Sequence, residues 1–171
     1  MQSTNTDEAL VEDVGIETFQ SFVSFQLDEE LFAIPVMRVI EILEVPKITK
    51  IPKSPAFLRG VINLRGSVLP VIDSRIKFGM ETTEFTVDTS ILVVTVKLND
   101  EEIKVGTIVD SVLEVFELDQ EQIQPSPTLG SKYQSDFIDG MIKEKEQFMM
   151  LVNIDKVFST EEVESLKEQN Q

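Results

Sequence analysis

The amino-acid sequence predicts an all-β protein of barrel or sandwich type, and three observations carry that prediction. The chain between residues 18 and 158 reads as nine or ten short strands with few helical patterns. Turn residues separate those strands at short intervals. A segment also recurs: "AIPVMRVIEI" (33–42) and "GTIVDSVLEV" (106–115) align without gaps, matching Val36 with Val109, Val39 with Val112, Glu41 with Glu114 and Ile42 with Val115. Each copy follows a strand and an acidic turn, and each precedes a Pro-bearing stretch, "KIPKSP" or "QIQPSP". Two copies are too few for a solenoid, so the repeat predicts two similar small barrels in one chain.

The elements follow in order. Residues 1–17 carry Asp7, Glu8, Glu12, Asp13 and Glu17 without a basic residue, which predicts a disordered acidic arm. In "TFQSFVSFQL" Phe19, Ser21, Val23, Phe25 and Leu27 share one face and Gln20, Ser24 and Gln26 the other, the period of a half-buried strand. "DEE" turns that strand into "LFAIPV". Pro35 suits the first position of a short helix, with Val36, Val39, Ile40 and Leu43 at helical spacing, although "EILEV" reads equally well as strand. Ser54 and Pro55 make an N-cap and first residue of a second short helix, with Gly60 as its stop. "GVINL" and "SVLPVID" are strands joined at Arg65–Gly66, where glycine permits the turn. "SILVVTVKL", an Asn99–Asp100 turn, "IKVGTIV" and "VLEVFEL" form the next set, and "FIDGMIKE" and "QFMMLVNI" flank "KEKEQ". The end, "STEEVESLKEQNQ", opens with Ser159 and has Glu162 at capping-box spacing, which predicts a short, frayed terminal helix over part of 159–171.

Composition narrows the function. A chain of 171 residues suits one domain or two small intimate ones, on a prior of about 100–200 residues per domain, and needs no covalent staple. Cysteine is absent, which removes disulfides and thiolate chemistry and is compatible with a reducing compartment. The start lacks a secretory pattern, and runs such as "ILVVTV" fall far short of the roughly 20 apolar residues that span a bilayer. The expectation is a soluble, cytoplasmic protein with no direct membrane insertion. The formal charge of −16 disfavours nucleic acid and anionic membranes, aids solubility, and can steer a positively charged partner.

Catalytic signatures are missing. No histidine is present, which excludes Ser-His-Asp and Cys-His arrangements and the commonest metal ligand. No phosphate-cradling glycine loop and no nucleophile elbow occurs, and "DEE" and "NDEE" read as hairpin tips rather than calcium loops. Asp73 and Asp110 invite an acid/base reading, but capping or pairing with an arginine explains each more simply. No cofactor or metal is expected, and the protein reads as a non-enzyme. Surface remains: Val39 beside Glu41, Val115 beside Glu114, and Arg65 at a strand corner. Core packing is the competing explanation for the valines and a solvated face for the glutamates. Arg65 is either a turn residue that happens to be basic or part of a site, since its guanidinium must reach water or acceptors.

"FQLDEELFAIPVMRVIEI", "ITKIPKSPAFLRGVINLRGSVLPVIDSRIKF", "VGTIVDSVLEV" and "LVNIDKV" together resemble the CheW family of bacterial chemotaxis coupling proteins, in the family's order from about Thr18 to Phe158. Ile51–Phe78 is the most specific part; Ser74 stands where the family pattern carries leucine. The resemblance implies two intimately packed five-stranded SH3-like β-barrels with short helices. It implies a non-catalytic adaptor, a monomer in isolation, that couples the cytoplasmic tips of methyl-accepting chemoreceptors to the histidine kinase CheA in signalling arrays. The kinase contact goes through the regulatory domain of CheA. A coupling protein of a non-flagellar pathway, such as pilus-based motility, fits the same resemblance. By the same resemblance the receptor-contacting residues are Val39, Glu41, Gly60, Arg65, Gly106 and Val115, the glycines letting a receptor helix approach closely, and Val68 lies near the kinase contact.

Overall fold

Apolar residues build ten strands among the described residues, and in the computed structural model these form two five-stranded sheets. The structure describes residues 19–125 and 135–169; the acidic arm expected over 1–17 lies outside them. The strands are β1 (Phe19–Leu27), β2 (Glu30–Pro35), β3 (Val39–Glu44), β4 (Leu58–Leu64), β5 (Ser67–Asp73), β6 (Ser90–Leu98), β7 (Glu101–Val109), β8 (Ser111–Asp119), β9 (Ile138–Glu144) and β10 (Gln147–Val152). Helix α1 covers Ser74–Lys77 and α2 covers Thr160–Gln169.

One sheet runs β3-β6-β7-β5-β4 and the other β8-β1-β2-β10-β9. Advancing every strand by five positions, cyclically, converts the first order into the second. The repeat is therefore real at the level of topology, but it does not divide the chain into a first and a second barrel. The central barrel is β3 to β7; the terminal barrel joins β8–β10 to β1 and β2 from the opposite end of the chain. The two aligned segments are the crossings: 33–42 leaves the terminal barrel and 106–115 returns to it.

Three apolar clusters hold this arrangement. Ile62, Leu69, Val71, Ile91, Val93 and Ile108 fill the central barrel. Phe22, Ala33, Leu118, Ile142, Met149 and Leu151 fill the terminal one. Phe25, Phe32, Ile72, Leu92, Val94 and Val105 belong to the larger cluster between them. The pattern of β6 shows why: Ile91 and Val93 face into the barrel while Leu92, Val94 and Val96 face the shared core, so a strand buried on both sides needs an unbroken apolar run. The centre of β1 is likewise buried on both faces, with Phe22 in the terminal barrel and Val23 and Phe25 in the shared core, so the half-buried reading of it is corrected. Ser24 is buried, with its hydroxyl donating to the Glu114 carbonyl and accepting from the Glu114 N–H, both at 3.2 Å.

Of the two short helices read from the sequence, the first is cut to one 3-10 turn and the second is replaced by a turn. After Pro35 the helix is a 3-10 turn over Val36–Arg38, and the chain then continues as strand, the other reading of "EILEV", because β-branched Val39 and Ile42 pair in β3 against β6. The Ser54–Pro55 segment makes a single turn, closed by the Leu58 N–H on the Pro55 carbonyl at 3.0 Å, and the Ser54 hydroxyl donates backward to the Ile51 carbonyl. Gly60 stops no helix; it lies inside β4.

The terminal helix is capped as predicted. The Ser159 hydroxyl accepts from the Glu162 N–H at 3.2 Å, and the Glu162 carboxylate accepts from the Ser159 N–H at 2.8 Å. Over Thr160–Gln169 it also docks on the barrels. Val163 and Leu166 enter the shared core, Glu162 pairs with Lys77 of α1, and Lys167 pairs with Glu101 of β7. Leu166→Ala is expected to lower the unfolding free energy by about 2–5 kcal/mol, read by urea titration, because Leu166 is fully buried. A loss typical of a surface site would show that α2 does not dock.

Candidate functional site

The β4–β5 turn has two residues, Arg65 and Gly66, both at positive φ (50° and 87°), the geometry that follows the twist of a tight hairpin. Glycine, asparagine and aspartate accept that geometry cheaply; arginine does not. The Asn63 side chain tightens the turn by accepting from the Gly66 N–H at 2.8 Å. Held there, the Arg65 guanidinium reaches Glu41 on β3 through two N–H groups. Strands β3 and β4 are the two edges of the central sheet, so this ion pair closes the seam of the barrel. The backbone of Thr49 closes it from below, exchanging hydrogen bonds of 2.8 and 2.9 Å with Val61. Hydrogen bonds from Arg65 hold the Glu41 carboxyl below its usual range, and Glu41 in turn raises Arg65. The Arg65 side chain remains 70% exposed, so most of the guanidinium faces outward while paired.

The register places three of the expected residues on one transverse row. Glu41 faces Val93, Val93 faces Gly106, Gly106 faces Val71, and Val71 faces Gly60. The structure gives the two glycines a different reason for being small than close approach of a partner helix. Both are buried. A Cβ on Gly60, at φ 144°, would lie 2.1 Å from the Thr49 carbonyl oxygen, and one on Gly106 would lie 2.9 Å from the Ile91 side chain. They let the barrel wall close on itself.

Val39 and Glu41 do not share a face. A bulge at Ile40 shifts the register, so Val39 pairs with Val94 and packs on the shared core while Glu41 pairs with Val93 on the barrel side. Val115 lies on the other barrel, at the position equivalent to Ile42, and both are exposed at the edge of their sheet. Val68 is exposed one pair from the Arg65–Gly66 turn, opposite Asn63.

Two features escaped the sequence reading. Phe57–Gly60 "FLRG" repeats as Phe137–Gly140 "FIDG": Phe57 and Phe137 carbonyls accept from the Asp73 and Asn153 N–H groups at 2.8 and 2.7 Å, and Gly60 and Gly140 each leave room for a neighbouring carbonyl. The short string was visible in the sequence. By the same offset Lys145 occupies the turn position of Arg65, and by the alignment of 33–42 with 106–115 Glu114 occupies that of Glu41. Among the described residues neither makes an ion pair, so the terminal barrel lacks the charged seam.

The second feature is a pair of charged clamps at the crossings. Asp110, which follows β7, receives Arg75 of α1 at 2.6 and 2.8 Å and the Asp28 N–H at 2.7 Å. Asp155, after β10, receives Arg38 of the β2–β3 crossing at 3.0 Å and the Lys97 N–H at 2.7 Å. Burial pushes both carboxyls up, but hydrogen bonds from the arginine and the backbone, with the arginine charge, outweigh it and leave both below the usual aspartate range. Asp73 caps α1, accepting from the Arg75 N–H, and holds Arg59 and the Thr82 hydroxyl. Asp73 and Asp110 thus make the cap and the arginine pair that the sequence reading preferred for them.

Depressed folded pKa values contribute stability above the unfolded value, about 3.9 for aspartate, and lose it as pH falls through the folded value. Urea midpoints are therefore expected to hold above about pH 4 and fall below it. Asp110→Asn should start lower at neutral pH and decline less steeply in acid. Equal acid slopes for the two chains would show that this clamp contributes nothing to the pH dependence.

A family model, the CheW-like domain, matches residues 21–162, which covers both barrels and enters α2. The chain belongs to the CheW family. It is similar to the chemotaxis protein CheW of Klebsiella aerogenes (35% identity over 144 residues, 84% of each chain). It is also similar to that of Rhizobium meliloti (34% over 146 residues, 85% of this chain and 92% of the relative). The crystal structure of the scaffolding protein TtCheW from Thermoanaerobacter tengcongensis superposes with a TM-score of 0.72 at 33% identity, covering 82% of this chain and 93% of that one. As a CheW-family chain, the protein is a chemotaxis adaptor with the paired-barrel fold its sequence predicts.

Proposed function

We propose that this CheW-family chain is a non-catalytic, cytoplasmic adaptor that couples methyl-accepting chemoreceptor tips to the regulatory domain of the kinase CheA. The observation that carries the reading is the match through both barrels to chemotaxis CheW proteins, at 33–35% identity over most of each chain. Engagement of Asp73 and Asp110 in caps and clamps supports the absence of acid/base chemistry. Among the described residues no helix is long and apolar enough to cross a membrane.

Receptor contact centres on the seam of the central barrel, where Arg65 and Glu41 present charge beside exposed Ile40 and Ile42. An amphipathic helix supplies the matching apolar ridge and polar acceptors. Val39 and the two glycines shape this surface from beneath, Val115 extends it on the terminal barrel, and Val68 serves the kinase side. The test is calorimetric titration of the purified full chain with a CheA regulatory domain and with a receptor signalling-tip fragment. Saturable binding to both is expected; binding to neither overturns the reading.

A further inference from the structure

Residues 45–72 form the longest stretch of the sequence without an acid, yet carry Lys47, Lys50, Lys53, Arg59 and Arg65 in a chain of net charge −16. The three lysines are exposed on the β3–β4 loop, and among the described residues none of them makes an ion pair. The loop borders a cleft of about 640 Å³ lined by Val45, Pro46, Ile48, Lys50, Arg59 and Phe85. A second cleft, of about 730 Å³, shares Lys50, Arg59 and Phe85 with the first. The Arg59 guanidinium borders both, standing 4.8 Å over the Phe85 ring with one N–H on buried Asp73. Val87 beside them is fully exposed. Glu44 lines the first cleft and Glu84 the second, and Lys50 lines both, with Lys47 and Lys53 three residues away from it on the same loop. The surface thus joins free cations to an apolar trough.

We propose that this trough docks the chain's own N-terminal segment, residues 7–17. That segment, "DEALVEDVGIE", has five carboxylates, no base, and Leu10, Val11, Val14 and Ile16 between the acids. Its composition is the complement of the trough: carboxylates for Lys47, Lys50 and Lys53, aliphatic side chains for Pro46, Phe85 and Val87. Reach is sufficient. The segment precedes Phe19, and an extended chain advances about 3.3–3.6 Å per residue, enough for Asp7 to cross a domain whose radius of gyration is about 15 Å. Tethering raises its effective concentration above that of a free acidic competitor.

The absence of native cysteine permits a clean test. The full chain carrying Ala9→Cys takes one nitroxide, and amide resonances are compared before and after its reduction. Loss of intensity at Lys50, Phe85 and Val87 is expected at low salt. It should disappear near 1 M salt, where screening acts within about 3 Å, and in Lys47→Glu/Lys50→Glu. Neutralising the segment with Asp7→Asn, Glu8→Gln, Glu12→Gln, Asp13→Asn and Glu17→Gln should abolish it too, leaving the loop intact. Broadening spread elsewhere, or retained in these variants, overturns the proposal. So does broadening seen only when labelled and isotope-enriched chains are mixed, which would assign the trough to a second copy.

Discussion

Gly60→Ala is expected to destabilise the central barrel by at least about 3 kcal/mol and to lose partner binding only as a consequence. Two independent penalties meet at this position. The backbone holds φ at 144°, where an L side chain is strained, and the new Cβ would stand 2.1 Å from the Thr49 carbonyl oxygen. That carbonyl cannot retreat freely, since it accepts the Val61 N–H that seals the edge of β4. Gly140→Ala, its counterpart in the terminal barrel, is the internal control. There the nearest atom is the end of an Ile123 side chain at 2.5 Å and the carbonyl of Gln124 lies at 2.9 Å, so a smaller loss is expected. Urea midpoints of the two variants decide it. A folded Gly60→Ala chain of normal stability that fails to bind receptor would instead make this residue a contact, as the family resemblance implies.

That contrast marks what the sequence makes legible and what it does not. The Arg65–Gly66 and Asn99–Asp100 turns are local, set by residues tolerant of or forced into positive φ, and they fall where the pattern puts them. The cap of α2 is equally local. Gly60 is different, because its reason for being glycine is a carbonyl from Thr49, brought near by barrel closure. The cyclic exchange of strands between barrels is likewise invisible in a linear repeat, which shows that two segments are alike but not which sheet each strand joins. Val39 and Glu41 look like neighbours on one face at a spacing of two; the extra residue at Ile40 turns them to opposite faces. The apolar part of α2 docking rests on Val163 and Leu166, too short a stripe to distinguish a packed helix from an exposed one, and its ion-pair partners Lys77 and Glu101 are far away in sequence.

Arg65→Asn is expected to keep the fold and weaken receptor binding by about tenfold or more. The structure separates the two consequences. Asparagine suits the positive φ of this turn better than arginine, so the hairpin should survive or gain. The ion pair it removes is exposed and screened, so its loss should cost the fold little. What disappears is a cation fixed above the seam between β3 and β4, tolerated by the turn at the expense of backbone comfort. A residue kept in unfavourable backbone geometry for an exposed side chain points to use of that side chain outside the barrel. The charge-swapped pair Arg65→Glu/Glu41→Arg tests this directly. It restores an intramolecular pair across the seam but reverses the field a partner meets. If Arg65 only braces the edges, the swap should recover binding that Arg65→Asn loses. If the exposed guanidinium engages the receptor helix, the swap should fold normally and still fail to bind. The 70% exposure of Arg65 beside the 26% of Glu41 favours the second outcome, because the charge turned outward is the arginine's.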